Sequence, residues 1–410
     1  MLGSAVTNHT AKAAGPSILI ERETKSPLLS TNPYRIPELD GLRGLAILLV
    51  IICHYVGESV HTPLDFPIHQ LLSATIVGWS GVDLFFVLSG FLIGGILLDA
   101  RSSPHYFQTF YMRRVYRILP IYYSWILIYG VLISAGLWLL PGRFPVSPKD
   151  LLQIPLHLFF LQNLTYSLTP FQWIWFSVTW SLAVEEQFYM LAPPLIRFLS
   201  ERKLVYFLGA TVCLTPLLRA FAFRYLSEGY YVSVFTMPCR ADALACGVLL
   251  AIAWRRKTVR EFLSKHPQLL MRVQLILFFG FGLLLWWLAH PVSLVTLFIG
   301  YTWVAFLYSC LLLVTLTQPR GSIAKVMRWK ALRGLGTISY CVYLIHFAAN
   351  HLLHRFLLHA RPQVYNPQGV AVTLLAFALT LSAATVSWHF FEKPLIRRGH
   401  RYSYSSAAGE

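Results

Sequence analysis

The residues best suited to chemistry in this chain are ionisable side chains placed inside long apolar stretches. The segment "GLRGLAILLVIICHYVG", residues 41–57, is apolar enough to enter a membrane, yet it carries His54, 11 positions beyond Arg43. At 1.5 Å per helical residue, His54 would lie about 16 Å into the bilayer. A group at that depth is costly unless it faces a polar cavity or a partner, so it is a functional candidate by default. The same argument covers the other ionisable residues at similar predicted depth, which are Asp83, Glu185, Glu186, Arg240, Asp242 and His346.

General-base catalysis is the chemistry that these residue types suggest. A neutral imidazole acts as a base near pH 7 when a carboxylate orients one nitrogen and the other is free. The carboxylates that are candidates for orienting His54 are Asp83, Glu185, Glu186 and Asp242. Their spacing does not choose among them, because they lie on different predicted helices. A bonded histidine between two helices is the competing interpretation, and the other buried ionisable groups weigh against it.

Tyrosine and serine side chains are predicted to support this site. Glu185 and Tyr189 are spaced i and i+4, so they share a helix face. Ser339 and Tyr343 share a face in the same way, and His346 follows three residues later. Both helices can therefore present polar clusters to the interior. For the two tyrosines, a packed ring with a bonded hydroxyl explains the pattern equally well.

A cluster of arginines lies in "FYMRRVYRILP", residues 110–120. Arg113, Arg114 and Arg117 are at i, i+1 and i+4, and the last two share a helix face. Guanidinium groups form paired hydrogen bonds with phosphate, so the cluster predicts a site for a phosphorylated cosubstrate. The excess of Lys and Arg on the cytosolic side of membrane proteins explains the same residues without a ligand, and both interpretations stay open.

The composition indicates what kind of protein must position these groups. The 410 residues are 56% hydrophobic and 12% charged, with a mean hydropathy of +0.57, which excludes an ordinary soluble domain. The net charge of +17 is spread over the loops, so it does not indicate nucleic-acid binding. The six cysteines lie in or beside apolar segments without metal-type spacing, which predicts neither a disulfide framework nor a metal site.

The apolar windows predict an all-α, polytopic transmembrane bundle of about ten helices. The predicted spans are 42–58, 76–98, 116–140, 177–199, 204–222, 232–253, 271–289, 295–316, 335–354 and 369–391. The shorter segment 151–164, which contains Pro155, is predicted to be an interfacial or re-entrant helix. Both termini are predicted to be cytosolic, since 27 of the 34 Lys and Arg residues then lie on that side. Residues 1–33 and 397–410 are predicted to be cytosolic tails, the first of them disordered, around a transmembrane domain at 34–396.

Seven motifs in this sequence resemble the acyltransferase 3 family of OafA-type integral membrane O-acyltransferases. They occur in the family's order and cover about residues 36–396. The motifs are "LDGLRGLAILLVIICHY", "GVDLFFVLSGFLI", "FYMRRVYRILP", "WSLAVEEQFYMLAP", "RADALACGVLLA", "SYCVYLIHF" and "FEKP". The family's transmembrane histidine matches His54, and its RxxR pair matches Arg114 and Arg117. Its aspartate matches Asp83, and its Glu-Glu motif matches Glu185 and Glu186.

The resemblance implies transfer of an acyl group, commonly acetyl, from cytosolic acyl-CoA to a hydroxyl. The acceptor would be a cell-envelope carbohydrate or a secondary metabolite, and the location a bacterial inner membrane. Arg114 and Arg117 would hold the CoA phosphates, while His54 would take the proton of the acceptor hydroxyl. Tyrosine or serine hydroxyls, or Arg240, are plausible oxyanion donors. Direct transfer and a two-step route through an acylated His54 remain equally open.

A proton-coupled secondary transporter is the alternative function. Buried histidines and carboxylates can form a proton relay across a membrane. Against this interpretation, the sequence shows no clear repeat and no matching pair of interrupted helices.

The long outer connection at 141–176 is a candidate for acceptor contact. Its residues Gln162, Tyr166, Trp173 and Trp175 could contact a sugar ring, and anchoring at the membrane interface explains the tryptophans at least as well.

Overall fold

The computed structural model describes residues 36–59, 72, 74–139, 154–165, 176–288 and 293–404. These residues form helices joined by short connections, and no β-strand occurs among them. The predicted all-α fold is therefore confirmed. The predicted tail at 1–33 lies outside the described residues, as do Tyr166, Trp173 and Trp175.

The α-helices follow one another along the chain with few long interruptions. They are α1 (Pro37–Tyr55), α2 (Gly81–Asp99), α3 (Tyr106–Leu139), α4 (Ile154–Leu158), α5 (Gln162–Thr165), α6 (Trp180–Phe198), α7 (Glu201–Tyr225), α8 (Gly229–Phe235), α9 (Ala241–Arg255), α10 (Lys257–Lys265), α11 (Pro267–Leu288), α12 (Tyr301–Thr317), α13 (Ser322–Met327), α14 (Lys330–Leu358), α15 (Pro367–Ser387) and α16 (Lys393–Gly399). Short 3-10 turns lie at Gly57–Ser59, Thr75–Ser80, Ser177–Thr179 and Met237–Cys239, and π-helical turns at Thr296–Gly300 and Trp388–Glu392.

Among the described residues, seven helical segments are long and apolar enough to cross a membrane. They are Pro37–Ser59, Thr75–Asp99, Tyr106–Leu132, Glu201–Tyr225, Pro267–Leu284, Thr296–Thr317 and Pro367–Gly399. A hydrocarbon core of roughly 30 Å needs about 20 helical residues, so each segment is sufficient. The chain is therefore a polytopic helical membrane protein.

Three of the ten predicted spans, 177–199, 232–253 and 335–354, are not in this set. Helices α6 and α14 are long enough but more polar, since α6 carries two glutamates and α14 carries several histidines. The segment 232–253 is divided, because α8 ends before Pro238 and α9 has only 15 residues. The number of spans and the side of the termini therefore stay predictions.

Helices α1 and α14 pack closely because glycines face each other. A Cβ atom on Gly44 would lie 1.9 Å from the carbonyl oxygen of Leu332, and one on Gly336 would lie 1.9 Å from that of Asp40. Only glycine permits this approach of two backbones. The two helices run parallel, since His54 and His346, ten residues beyond Gly44 and Gly336 on the respective helices, are also in contact.

Helices α2 and α9 form a second close, parallel pair. Gly90 and Gly247 face each other, with a Cβ on Gly247 2.8 Å from the Cα of Gly90. An ion pair marks each end of this contact. Arg240 binds Asp83 at one end, and Arg255 binds Asp99 through two hydrogen bonds at the other, with N–O distances of 2.6 to 2.7 Å throughout.

From residue 154 on, the segment that was predicted as one interfacial or re-entrant helix contains two short helices, α4 and α5. The Tyr122 hydroxyl donates to the carbonyl of His157, and the buried Gln162 amide donates to the carbonyl of Thr179. Gln162 therefore packs inside the protein. Helices of five and four residues do not cross a membrane.

Candidate active site

His54 is held by a second histidine. Its Nδ1 lies 2.8 Å from Nε2 of His346, and the two rings are stacked with centroids 5.0 Å apart. His346 is fully buried, whereas the side chain of His54 keeps 18% of its surface exposed. The pair thus joins one buried ring to one ring that reaches a cavity.

The hydrogen bonds of His346 determine the tautomer of both rings. Its Nδ1 lies 2.8 Å from the carbonyl oxygen of Tyr343, which only accepts, so Nδ1 carries the hydrogen. Nε2 of neutral His346 must then accept from the Nδ1–H of His54. The lone pair of His54 is consequently on Nε2, which lies 3.7 Å from a carboxylate oxygen of Glu58. This is the arrangement of a general base with a fixed ring.

The group that orients His54 is therefore His346 rather than one of the four proposed carboxylates. Asp83 accepts from Arg240, and Asp242 pairs with Arg219 at 2.9 Å while accepting from Thr302 at 2.6 Å. The two glutamates face a different cavity. Glu58 was not among the sequence candidates, although its i+4 spacing from His54 on the same turn was a usable signal.

His54 opens onto a cavity of about 370 Å³, which we call the outer cavity. Glu58, Arg240 and Tyr343 also line this cavity. Its remaining walls are largely aromatic, with Trp79, Trp180, Tyr230, Phe235, Tyr301 and Phe347. Aromatic walls with a few polar groups are typical of sites for small organic ligands.

Arg240 contributes a partly unused guanidinium to the outer cavity. Its side chain is 2% exposed, and its Nη2 donates to Asp83 at 2.7 Å. The guanidinium lies 4.2 Å from the ring centroid of Tyr301. Within the described residues, its Nε and Nη1 have no hydrogen-bond partner. Buried donors are normally bonded, so these two are available to a ligand.

A second cavity of about 180 Å³, which we call the inner cavity, lies next to the outer cavity. Arg43, Arg114 and Arg117 line it together with Glu185 and Glu186. The buried Nε of Arg114 has no hydrogen-bond partner among the described residues. The glutamates lie within electrostatic reach of the arginines, which keeps several positive charges together in one site.

The arginine site differs from the predicted one by two residues. Arg113 lies outside the cavity lining, and its Nε and Nη2 donate to the carbonyl of Tyr402 at 3.0 and 2.8 Å. Its guanidinium also lies 5.1 Å from the ring centroid of Tyr404. Arg43 takes the third place in the cavity, from α1. The sequence signal was its position at the end of the first apolar stretch.

The region around the arginines is electropositive. His400, just beyond the last membrane-crossing segment, has its pKa lowered first by burial and then by the nearby charges of Arg113, Arg117 and Arg114. Clustered arginines create a positive local potential, which favours an anionic ligand.

Polar side chains support the inner cavity. The Tyr189 hydroxyl lies 2.6 Å from Oγ of Ser89 and donates to Glu185 at 3.3 Å. The Ser339 hydroxyl donates to the carbonyl of Gly336 at 2.9 Å. Tyr343 lines both cavities. The predicted polar faces of α6 and α14 thus do point inward.

Cys53, His54 and Glu58 offer three potential metal-ligand atoms within 4.8 Å of one another. The thiol of Cys53, however, donates to the carbonyl of Ile76 at 3.3 Å. A thiolate rather than a bonded thiol is the ligand form of cysteine.

Comparison with known proteins agrees with this geometry. The chain matches the Acyl_transf_3 family, described as an acyltransferase domain, over residues 36–389. The chain belongs to this acyltransferase family. The resemblance drawn from the seven motifs is thereby confirmed. No solved structure matches this acyltransferase chain.

Curated relatives of this acyltransferase chain come from Staphylococcus aureus. It is 28% identical over 389 residues to a protein of strain COL named as an inferred O-acetyltransferase, with 89% of the chain and 58% of that protein covered. It is 25% identical over 397 residues to the O-acetyltransferase OatA of strain NCTC 8325, with 90% and 58% covered. The chain therefore spans less than two thirds of the length of these relatives.

Proposed function

We propose that this chain is a membrane O-acyltransferase that moves an acyl group, acetyl in the simplest case, from cytosolic acyl-CoA to a hydroxyl. The acceptor would be a carbohydrate of the cell envelope or a secondary metabolite, and the location the cytoplasmic membrane of a bacterium. Family membership and the printed names of the relatives support the reaction class. The observation that carries the proposal is the lone pair of His54 Nε2, fixed by His346 at the edge of a cavity.

The inner cavity is the proposed donor site. Arg43, Arg114 and Arg117 would hold the phosphates of CoA, because guanidinium groups match phosphate oxygens in charge and geometry. Each hydrogen bond to a charged group contributes about 1.5 to 3 kcal/mol. The thioester end of the donor would then point towards the outer cavity.

The outer cavity is the proposed acceptor site. The C–H faces of a sugar ring can pack on aromatic walls such as Trp79, Trp180 and Tyr301, while hydroxyl groups face the polar side chains. One acceptor hydroxyl would donate its hydrogen bond to Nε2 of His54.

Transfer begins when Nε2 of His54 takes the hydroxyl proton and the acceptor oxygen bonds to the thioester carbon. Nε and Nη1 of Arg240 are the proposed donors to the resulting oxyanion, since a buried, preorganised cation stabilises developing negative charge. The C–S bond then breaks, and the imidazolium returns its proton to the CoA sulfur. Glu58, 3.7 Å from Nε2, would stabilise the imidazolium in between.

The same lone pair is the nucleophile in the two-step route, in which His54 carries the acyl group before the acceptor does. The two routes differ in one observable. Acid quenching of the enzyme with acyl-CoA and no acceptor would leave a mass increase on the peptide containing His54 only in the two-step route.

The deciding experiment compares the purified chain with its His54→Ala variant. Each is incubated with acetyl-CoA and extracted envelope glycans or metabolites, and CoA thiol release and ester formation are followed by mass spectrometry. We expect the variant to lose about 10²- to 10⁴-fold of the transfer rate, the range contributed by a general base. His266→Ala, at an exposed histidine outside both cavities, is the matched control.

Full acetyl-CoA-dependent acylation by a folded His54→Ala variant would refute this mechanism. A transporter would show no ester formation, and acyl-CoA would not raise its melting temperature. Selective donor binding must raise the free energy of unfolding, by about 2.7 kcal/mol at 100 times the Kd.

A further inference from the structure

The two cavities share two lining residues, Val82 and Tyr343, and Tyr343 is only 6% exposed. The arginines line one cavity and His54 lines the other. Tyr343 is the polar residue of this shared wall. A group that crosses the shared wall from the donor cavity towards the base must pass beside Tyr343 or Val82.

Two hydrogen bonds hold the ring of Tyr343 in this position. Its hydroxyl donates to the carbonyl of Val178 at 2.9 Å and lies 2.6 Å from Oγ of Ser181. The Ser181 hydroxyl also lies 3.4 Å from the carbonyl oxygen of Val178, so the two hydroxyls and this carbonyl form one hydrogen-bonded group. Val178 lies in the 3-10 turn that precedes α6, and Ser181 lies in the first turn of α6, so the side chain of Tyr343 joins α14 to the start of α6.

The hydrogen bonds that position the Tyr343 hydroxyl are separate from those that fix the ring of His54. His346, one helical turn further along α14, binds the backbone carbonyl of Tyr343 and not its hydroxyl. The hydroxyl of Tyr343 bonds to Val178 and Ser181 instead, although its ring centroid lies 5.7 Å from that of His346. A change in the side-chain torsion angles of Tyr343 would therefore leave the backbone carbonyl that fixes the tautomer of His54 in place.

We propose that Tyr343 is a gate between the donor and acceptor cavities, held closed by Ser181 and Val178. The inference rests on the proposed function. In the closed position, the ring keeps water of the outer cavity away from the donor thioester. It opens to admit the acyl group towards His54. Its role is to favour transfer to the acceptor over hydrolysis.

The rate of acyl-CoA hydrolysis in the absence of an acceptor reports how often the gate is open. In that reaction a water oxygen bonds to the acyl carbon and the C–S bond breaks. One water proton reaches the CoA sulfur through His54, and the other leaves with the carboxylic acid. Ser181→Ala removes the bond between the two hydroxyls, and Tyr343→Phe removes that bond and the one to Val178 as well. We expect Ser181→Ala to raise acceptor-independent CoA release about fivefold, the effect of one hydrogen bond, and Tyr343→Phe to raise it further.

A second buried tyrosine–serine pair provides the matched control. Tyr308 and Ser80 are hydrogen-bonded at 2.7 Å, and neither lines either cavity. Tyr308→Phe and Ser80→Ala should leave the ratio of hydrolysis to transfer at the wild-type value. A merely structural role of Tyr343 would lower both rates together and leave that ratio unchanged.

Access to Cys53 gives a readout that does not depend on catalysis. Cys53 lines the outer cavity but not the inner one. In a background where the other five cysteines are replaced by alanine, a charged methanethiosulfonate reagent is added to membrane vesicles from the side of the arginines. We expect Tyr343→Phe, and more strongly Tyr343→Ala, to speed the modification of Cys53.

The outcomes separate the gate from the function. If His54-dependent transfer occurs and both the Tyr343→Phe and Ser181→Ala variants match the wild type in hydrolysis and in Cys53 modification, the gate is refuted. If Cys53 modification depends on Tyr343 but no acyl transfer or hydrolysis is found, the gate stands and the O-acyltransferase proposal fails. Melting temperatures identify any variant that has not folded, and Ser181→Ala tests the gate without changing the tyrosine.

Discussion

The two cavities differ in how they use charge. The inner one gathers three arginines and two glutamates, whereas the outer one combines His54, which is held by His346, with Glu58 and with a single arginine that is already bound to Asp83. Permanent charge suits the binding of phosphates, and a neutral base suits proton transfer. The comparison suggests that binding and chemistry occupy separate compartments, so that variants in one should leave the other intact.

The largest effect is expected in the outer cavity, from His346→Ala. Without His346, the Nδ1–H of His54 loses its acceptor, and the ring is free to change tautomer or turn away. We expect kcat to fall about 10²- to 10³-fold, close to the loss of the base itself, with an unchanged KM for acyl-CoA. Steady-state kinetics measure both constants. A rise in KM with normal kcat would contradict the separation of the two cavities.

In the inner cavity, Arg114→Ala should change the KM for acyl-CoA and leave kcat nearly unchanged, the reverse of His346→Ala. The loss of one charged hydrogen bond to phosphate, about 1.5 to 3 kcal/mol, corresponds to roughly 10- to 100-fold weaker acyl-CoA binding. We expect the KM to rise by this factor while kcat changes little. The upward shift of the melting temperature by acyl-CoA should also shrink. Arg114→Lys, which keeps the charge but not the paired geometry, should restore part of the affinity.

The helix contact that brings the histidines together can be loosened at Gly336. In Gly336→Ala the new Cβ would lie 1.9 Å from the carbonyl oxygen of Asp40, so α1 and α14 must separate. We expect a loss of about 1 to 3 kcal/mol in the free energy of unfolding, as for other overpacked contacts. Thermal denaturation of the solubilised protein measures this loss.

Gly334 provides the control on the same helix. Its Cβ would meet no atom within 4 Å, so Gly334→Ala should not destabilise and gains helix propensity. Equal melting temperatures for the two variants would show that the close approach of α1 and α14 is not needed.

The smallest effect is expected from Arg113→Ala. Arg113 holds the backbone of Tyr402 and lies against the ring of Tyr404, outside the inner cavity. We expect the KM for acyl-CoA to change less than about threefold, which is under about 0.7 kcal/mol. A rise in the KM for acyl-CoA as large as that of Arg114→Ala would show that Arg113 belongs to the donor site after all.

Much of the fold could be predicted because the bilayer imposes simple rules. Apolar length identified the crossing helices at 37–59, 75–99 and 296–317, and the i, i+4 pattern identified the inward polar face of α14. The predicted spans at 177–199 and 335–354 are not among the crossing segments, because α6 and α14 carry buried polar side chains that lower their mean hydropathy.

The pairing inside the site could not be predicted to the same extent. The sequence placed His54, Asp83 and Glu185 at similar depth, but the structure divides them between two cavities and an ion pair. Depth measures the distance from the membrane surface and not the direction in which a side chain points. The rotation of each helix about its axis decides that direction.

The sequence by itself determined that the protein lies in a membrane, that it is helical, which family it resembles and which residue types can do chemistry. Each of these depends on composition or on spacing within one segment. Only the tertiary structure decided that His346 orients His54, that Arg43 replaces Arg113 beside Arg114, and that Tyr343 stands between the cavities. His54 and His346 are 292 residues apart in the chain. Their contact depends on close backbone packing at Gly44 and Gly336, which no pattern within a single helix contains.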